Sequence, residues 1–276
     1  MNAAFAHGLA EAPAGAGLDI EPALLPLLIA AVLYAVGSWR LRRRSRDRHH
    51  LRELQFWMGM ATLALALLSP IHTLGTTIFT LHMVEHELLM VVAAPLLVAA
   101  RPSAELLWGM PHRARRAFAN RAPWLRALWS AATDLWSATI LHVAVLWLWH
   151  LPGLFRAAIE SEPMHILQHV CFLGSALLFW TAVWRAARRH EHVGAAVLAL
   201  FLTALQAGML GALLTFARVP WYPFAPDPWP LCGLTRIEDQ EMAGLVMWVP
   251  ACMAYVLVAL ALMAHWLSAM EPRHAR

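Results

Sequence analysis

Seven apolar segments alternate with polar or arginine-rich stretches along the chain. A helix needs about 20 mainly apolar residues to cross the hydrocarbon core of a bilayer. Segments of about this length cover residues 22–39, 53–71, 79–100, 134–151, 164–184, 193–217 and 242–267. The pattern predicts an all-α, polytopic membrane protein with a transmembrane domain over 22–268. An exposed tail is expected over 1–21, which lacks the basic start and apolar core of a signal peptide, and a short tail over 269–276.

The composition supports this prediction and excludes other classes of protein. Of 276 residues, 60% are hydrophobic and only 14% are charged, which is too apolar for a soluble domain of this length. All 21 basic residues are arginines, and they lie between the apolar segments. Membrane topology therefore explains the net charge of +4, and no nucleic-acid partner is expected. The three cysteines form no CxxC pair, so neither a disulfide framework nor a zinc ribbon is expected.

The arginines also predict an orientation. Loops on the cytoplasmic side of membrane proteins carry an excess of basic residues. The loops after the first, third and fifth segments, together with the C-terminal tail, hold 18 of the 21 arginines. The N-terminus is therefore expected outside and the C-terminus inside.

Ionisable side chains gather near the outer start of two segments. The third segment begins FTLHMVEHE, with His82, Glu85 and His86, and the fifth carries HILQH, with His165 and His169. Residues four apart on a helix lie one turn apart and about 40° apart around the axis. Both pairs are thus expected about 5 and 10 Å below the outer ends of their helices, in one layer. Ionisable groups at that depth usually face a partner, a water-filled cavity or an ion.

Other candidate residues are expected near the same layer. His72 and His150 close the outer ends of the second and fourth segments, and Asp239 and Met242 open the seventh. A single histidine near a membrane interface more often bonds to a carbonyl or to water, but two matched HxxxH pairs favour a metal or proton-handling site. The predicted metal ligands are His72, His82, His86, His150, His165 and His169, with Glu85, Asp239, Met83 and Met242 in supporting roles.

The donor chemistry leaves more than one occupant open. Neutral imidazole suits copper, zinc, iron and nickel, and thioether donors select Cu(I), so copper is favoured. Haem held between two axial histidines is the alternative and would make the chain an electron-transfer protein. Histidines four apart occupy one layer, whereas two stacked haems need a separation on the order of 13 residues. One haem with one histidine from each pair stays open. A copper permease ranks last, because the inner half offers only His142 and His265.

Four blocks of the sequence carry a resemblance to a known family. They are HMVEHELLMVVAAPLL, WLWHLPGLF, MHILQHVCFLGSALLFW and EDQEMAGLVMWVP. Together they resemble the CtaG family of cytochrome c oxidase assembly factors, seven-helix proteins of the bacterial cytoplasmic membrane, over about residues 22 to 268.

The resemblance implies a non-enzymatic role in the maturation of haem-copper oxidases by delivery of copper. It points to His82, His86, His150, His165, His169 and Asp239 as functional residues. The implied partners are a haem-copper oxidase subunit, a periplasmic copper donor and the lipid bilayer, and homo-oligomerisation stays open.

Overall fold

A computed structural model of the protein describes residues 22–43, 50–120, 122–222 and 233–270, and all regular structure in these ranges is helical. The all-α prediction is therefore confirmed for this part of the chain. The predicted N-terminal tail, 1–21, and residues 271–276 of the predicted C-terminal tail lie outside the described residues.

The helices are numbered here in chain order. They are α1 (Leu24–Arg42), α2 (His50–Leu68), α3 (Pro70–Gly75), α4 (Phe79–Glu87), α5 (Ala94–Ala100), α6 (Ser103–Gly109), α7 (His112–Asn120), α8 (Ala122–Ala132), α9 (Leu135–Trp149), α10 (Pro152–Glu160), α11 (Glu162–Ala187), α12 (Val193–Thr215) and α13 (Arg236–Met270). A π-helical turn, Leu88–Ala93, joins α4 to α5, and a 3₁₀ turn, His190–His192, precedes α12.

Each predicted segment coincides with a helix, but not all of them have the same capacity to span a membrane. Within the described ranges, five helices are long and apolar enough: α1, the continuous helix Phe79–Ala100, α11, α12 and α13. A sixth candidate consists of α8 and α9, which are bent by 67° relative to each other. Helix α2 has 19 residues but begins with the charged turn HLRE and does not meet the same criterion. The helices support a multi-pass membrane protein, and the count of seven spans stays a prediction.

The continuous helix Phe79–Ala100 lies between two packed cores. Its residues Phe79, Met83 and Met90 belong to a large core formed with α9, α11, α12 and α13. Leu89 and Ala93, on its other side, belong to a smaller core formed with α1 and α2. This helix therefore links the two parts of the bundle and fixes the position of the residues that it carries.

The π-helical turn of this helix has an identifiable cause. Pro95 lies in the first turn of α5 and has no N–H to donate. In the i→i−5 pattern of a π-helix, that N–H would have served the carbonyl of Met90. The Trp180 indole Nε1 on α11 donates to this oxygen at 2.8 Å instead. A backbone group freed in the apolar interior is thus paired by a neighbouring helix, as the low dielectric requires.

Small residues allow two helix pairs to approach closely. A Cβ at Gly37 of α1 would lie 1.7 Å from the Glu105 carbonyl oxygen of α6. A Cβ at Gly211 of α12 would lie 2.7 Å from the Gly244 carbonyl oxygen of α13. Such contacts hold transmembrane helices together where the hydrophobic effect between them is weak. The C-terminal half of α1 consequently packs directly against α6.

Candidate metal centre

Two local features set the start of the helix that carries HMVEH. Ser69 ends α2 and caps α3 by accepting a hydrogen bond from the Ile71 N–H at 3.1 Å, with Pro70 in the first turn. The next helix, α4, is capped from far along the chain, because the Asp239 carboxylate accepts the N–H groups of Phe79 and Thr80 at 2.8 and 2.9 Å. These caps place α3 and the first turns of α4 side by side at one end of the bundle.

The first group of candidate ligands contains three histidines: His82 and His86 of α4 and His165 of α11. One nitrogen from each ring lies within 4.8 Å of the others. The His82 ring lies 4.3 Å from His86 and 5.2 Å from His165, between ring centroids. Two nitrogens bound to one ion at about 2.0–2.1 Å are at most about 4.2 Å apart. Small ring movements would therefore close this group around a metal ion.

The second group contains His72 of α3, Glu85 of α4 and His169 of α11, again with one ligand atom of each within 4.8 Å of the others. The Glu85 Oε1 lies 2.7 Å from His72 Nδ1 and 3.3 Å from His169 Nε2. The two HxxxH pairs were predicted to act together as one set of metal ligands. The structure instead joins His165 to the HMVEH pair and His169 to the carboxylate.

The two groups are adjacent and form a single cluster, which is here called the histidine layer. The His165 ring lies 4.3 Å from His169 and 5.3 Å from His72. Across the layer, the His86 ring lies 5.3 Å from His169. An ion bound by one group would thus be within a short step of the ligands of the other.

Several polar atoms of the layer are buried and have no hydrogen-bond partner among the described residues. They include both ring nitrogens of His86 and Nε2 of His165, and the two amide atoms of Gln168, which lies between His165 and His169 in the chain, are also buried without such a partner. Burying such an atom unpaired costs about 1–3 kcal/mol, and buried polar groups are normally paired. These buried, unpaired polar atoms are therefore available to bind a ligand.

Four predicted residues lie outside the two groups. His150 is buried near the layer, where its Nδ1 contacts the Leu146 carbonyl at 2.7 Å and its ring lies 6.1 Å from Phe155. Asp239 caps α4, as described above. Met83 is 1% exposed within the large core, and Met242 is 44% exposed on the surface. The structure thus assigns capping to Asp239 and packing to Met83, and neither His150 nor Asp239 belongs to either group.

Two residues that contact the layer, Gly75 and Phe172, and one that follows it in the chain, Glu87, were not expected from the sequence. A Cβ at Gly75 would lie 3.3 Å from His82 Cα and 3.4 Å from Glu85 Oε2, so this glycine lets the turn approach α4. Phe172 contacts the His86 ring at 4.6 Å between centroids. Glu87 follows His86 directly, and its buried Oε2 has no hydrogen-bond partner among the described residues. In the sequence, only the presence of a glycine in the loop TLGTT indicated the close approach at Gly75.

Comparison with known proteins finds similar chains in mycobacteria. The chain is 26% identical over 265 residues to "Uncharacterized protein Mb0105" of Mycobacterium bovis and equally to "Uncharacterized protein MT0111" of Mycobacterium tuberculosis. It is 23% identical over 266 residues to "Uncharacterized protein ML1998" of Mycobacterium leprae. These alignments include 90% of the chain but only 40% of each relative, so the chain spans well under half of their length. No solved structure matches the chain significantly.

A family profile gives the decisive match. It is described as "Cytochrome c oxidase caa3 assembly factor (Caa3_CtaG)" and matches residues 32–269. This range contains both candidate ligand groups and every helix from α2 to α12. The match confirms the resemblance inferred from the four sequence blocks. The chain belongs to the Caa3_CtaG family of cytochrome c oxidase assembly factors.

Proposed function

We propose that the protein is a non-catalytic assembly factor that binds copper in the histidine layer and delivers it to a haem-copper cytochrome c oxidase. The observation that carries the proposal is the pair of adjacent three-residue groups with five imidazoles and one carboxylate. Neutral imidazoles are good ligands for copper. The family is one of oxidase assembly factors, and the metal is the cargo of the proposed reaction.

The number of ligands in each group favours transfer over permanent storage. Each group offers three protein ligands, whereas structural sites usually complete the coordination of their ion with four. A three-ligand site leaves a position to which an incoming donor can bind before the protein ligands release the ion. The nearby second group provides alternative ligands during that exchange.

We further propose that the chain crosses the bacterial cytoplasmic membrane seven times, with the N-terminus and the histidine layer on the outer side. The arginine distribution supports this orientation, because 18 of 21 arginines fall in the loops and tail assigned to the cytoplasm. Copper would then arrive from a periplasmic donor and pass to an oxidase subunit in the same membrane.

The geometry favours a bare ion over haem. A porphyrin between two axial histidines needs a flat space that is free of other side chains. Within the layer, His82 is near both His86 and His165, and their ring centroids are separated by 4.3 and 5.2 Å. The Phe155 ring lies 5.3 Å from His82 on another side. Close packing of this kind suits an ion bound at about 2 Å.

Metal analysis of the purified protein tests the proposal. Full-length protein is purified in detergent after expression with copper, and its copper, zinc, iron and optical spectrum are measured beside those of a His82→Ala/His86→Ala variant. We expect stoichiometric copper in the wild type, its loss in the variant and no Soret band. Iron with a Soret band would replace the proposal with electron transfer. Equal copper content in both proteins would contradict the assigned ligands.

A cell-based measurement tests delivery separately. Oxidase activity and copper content are compared in cells that carry wild-type protein or the double variant at equal expression levels. We expect oxidase activity to fall in the variant and to recover in part when copper is supplied in excess. Full oxidase maturation with the variant would contradict a role of the layer in assembly.

A further inference from the structure

A cleft of about 590 Å³ adjoins the histidine layer. It lies between the first turns of α1, the end of α2 and α3 on one side, and the end of α10 and the first half of α11 on the other. Its walls are mostly apolar, and the polar residues Thr73, Thr76 and Glu162 lie among its lining residues. The cleft is within the size range of about 300–1,000 Å³ that is typical of ligand sites.

The accessible edge of the histidine layer lines this cleft. His72, His165 and His169 are lining residues, and the His72 and His169 side chains are 21% and 11% exposed. The other members of the two groups, His82, Glu85 and His86, are at most 1% exposed and do not line it. A donor atom that takes copper from either group would therefore reach the ion from the cleft.

The lining residues have the spacing of a helix-packing surface. Residues three and four apart form one face of a helix, and such ridges fit into the grooves of a neighbouring helix. The cleft presents a stripe of this kind from each of three helices. The longest stripe, on α11, consists of Glu162, His165, Ile166, His169, Val170 and Leu173.

The length of the cleft wall suits a short stretch of helix. The α11 stripe from Glu162 to Leu173 is about 16 Å long at 1.5 Å per residue, which is about three helical turns. One face of a neighbouring helix can therefore pack along this stripe while the rest of its surface stays outside the cleft.

We propose that this cleft receives one face of an apolar transmembrane helix of the copper acceptor, and that this helix carries the nitrogen or sulfur atom that removes the ion. The inference rests on the proposed function for its metal step. The apolar walls select a membrane-embedded segment over a hydrated carrier, and the three histidines fix the depth of its donor. Val170, 61% exposed on the cleft wall, faces the incoming helix, whereas Leu167, 47% exposed on the same helix, lies outside the cleft lining.

Docking is tested without metal by cross-linking. The full-length protein, with its three native cysteines replaced by alanine, carries Val170→Cys or the control Leu167→Cys in lipid vesicles. The probe is a synthetic leucine-rich helix of about 20 residues with one histidine about two turns from its end and a cysteine beside it. With oxidised glutathione added as the oxidant, we expect disulfide formation to be about tenfold faster at position 170, because docking raises the effective concentration of the two thiols. Equal rates at both positions would overturn the proposal.

Transfer is tested with copper-loaded protein and the same histidine peptide, made without cysteine. We expect Val170→Trp to slow transfer about tenfold or more, because the donor atom no longer reaches the ion, while Leu167→Trp transfers at the wild-type rate. A peptide without histidine is expected to accept no copper. Transfer by Val170→Trp at the wild-type rate would overturn the proposal. If the wild type binds no copper, the proposed function fails, and the cross-linking result still decides docking.

Discussion

His86 and His142 are both buried histidines within the bundle, but their surroundings differ. The His142 Nδ1 lies 3.0 Å from the Ser175 hydroxyl, its Nε2 lies 3.4 Å from the Tyr255 hydroxyl, and its ring stacks on Phe179. Neither nitrogen of His86 has a hydrogen-bond partner among the described residues. The protein supplies a hydrogen-bonding partner for both ring nitrogens of His142, whereas both ring nitrogens of His86 are available to a ligand.

The same difference extends to the neighbours of each residue. Around His142, the Ser175 hydroxyl also donates to the Phe172 carbonyl at 3.2 Å, and the Trp180 indole donates to Met90. Around His86, Gln168 and the Nε2 of His165 are buried without partners in the described structure. Burial of polar groups alone therefore does not identify a metal centre. The useful sign is a cluster of buried polar groups that are left unpaired.

Replacing each histidine with leucine is expected to give opposite results. His86→Leu removes a buried, unpaired polar group, so the free energy of unfolding of the metal-free protein is expected to stay level or rise. The copper affinity of the first group is expected to fall more than about 100-fold, because even residues outside the first coordination shell contribute about 10–100-fold. His142→Leu leaves the Tyr255 hydroxyl without this partner and is expected to cost about 1–3 kcal/mol with copper affinity unchanged.

Thermal unfolding in detergent, with and without copper, measures both variants. Copper at about 100 times its dissociation constant stabilises a protein by about 2.7 kcal/mol. We expect the full gain in the wild type and in His142→Leu, and a smaller gain in His86→Leu, where only the second group keeps its three ligands. A copper-dependent gain in His86→Leu equal to that of the wild type would remove the distinction drawn between the two histidines.

Glu85→Gln is expected to separate the two ligand groups. The carboxylate contacts His72 and His169, so the amide weakens the second group while His82, His86 and His165 stay in place. We expect copper affinity at the second group to fall about tenfold, as when a charged ligand or outer-shell partner is lost. Copper-loaded protein is titrated with a competing chelator until all copper is removed. Release in one step indicates one class of bound copper, and release in two steps indicates two classes with different affinities.

A matched control for Glu85→Gln is available in the second HxxxH motif. Gln168→Glu places a carboxylate at the corresponding position of HILQH on α11. We expect it to retain both classes of copper, since it removes no ligand. If Glu85→Gln binds both classes of copper with unchanged affinity, the carboxylate is not a copper ligand.

The histidine layer itself was predictable because helical geometry is periodic. Residues four apart project from nearly the same side of a helix, and the HMVEH and HILQH motifs begin near the same end of their helices. The structure brings His72, His82, His86, His165 and His169 close together, and their role as metal ligands stays a prediction. The helical segments were predictable for a similar reason, because each needs about 20 apolar residues to span the bilayer.

The division of the layer into two groups could not be predicted. It depends on how α4 and α11 are rotated about their axes, and packing of side chains such as Phe172 against His86 sets that rotation. The role of Asp239 was equally inaccessible, because its partners Phe79 and Thr80 are about 160 positions away in the chain. Spacing along one helix identifies candidate ligands, whereas contacts between helices decide which of them share an ion.

Asp239→Ala tests whether the cap supports the layer. Loss of a helix N-cap costs about 0.5–2 kcal/mol, and the freed N–H groups of Phe79 and Thr80 would loosen the first turn of α4. We expect lower stability and a copper affinity reduced by a few-fold, with Asp239→Asn closer to the wild type because the amide oxygen still accepts one hydrogen bond. If Asp239→Asn loses copper while its stability is unchanged, Asp239 acts on the metal directly and the capping role is insufficient.

Gly75→Ala is expected to have the smallest effect and to test the spacing of the layer most finely. Its Cβ would lie 3.3 Å from His82 Cα and 3.4 Å from Glu85 Oε2, which is close enough to displace both by a few tenths of an ångström. Because one ligand of each group moves, we expect both classes of copper to weaken slightly, within about threefold or 0.6 kcal/mol. Gly153→Ala is the control, since its Cβ would meet no atom within 4 Å. If copper affinity falls in only one class, the two groups tolerate displacement of a ligand unequally. The class that weakens then identifies the group whose geometry is the more sensitive.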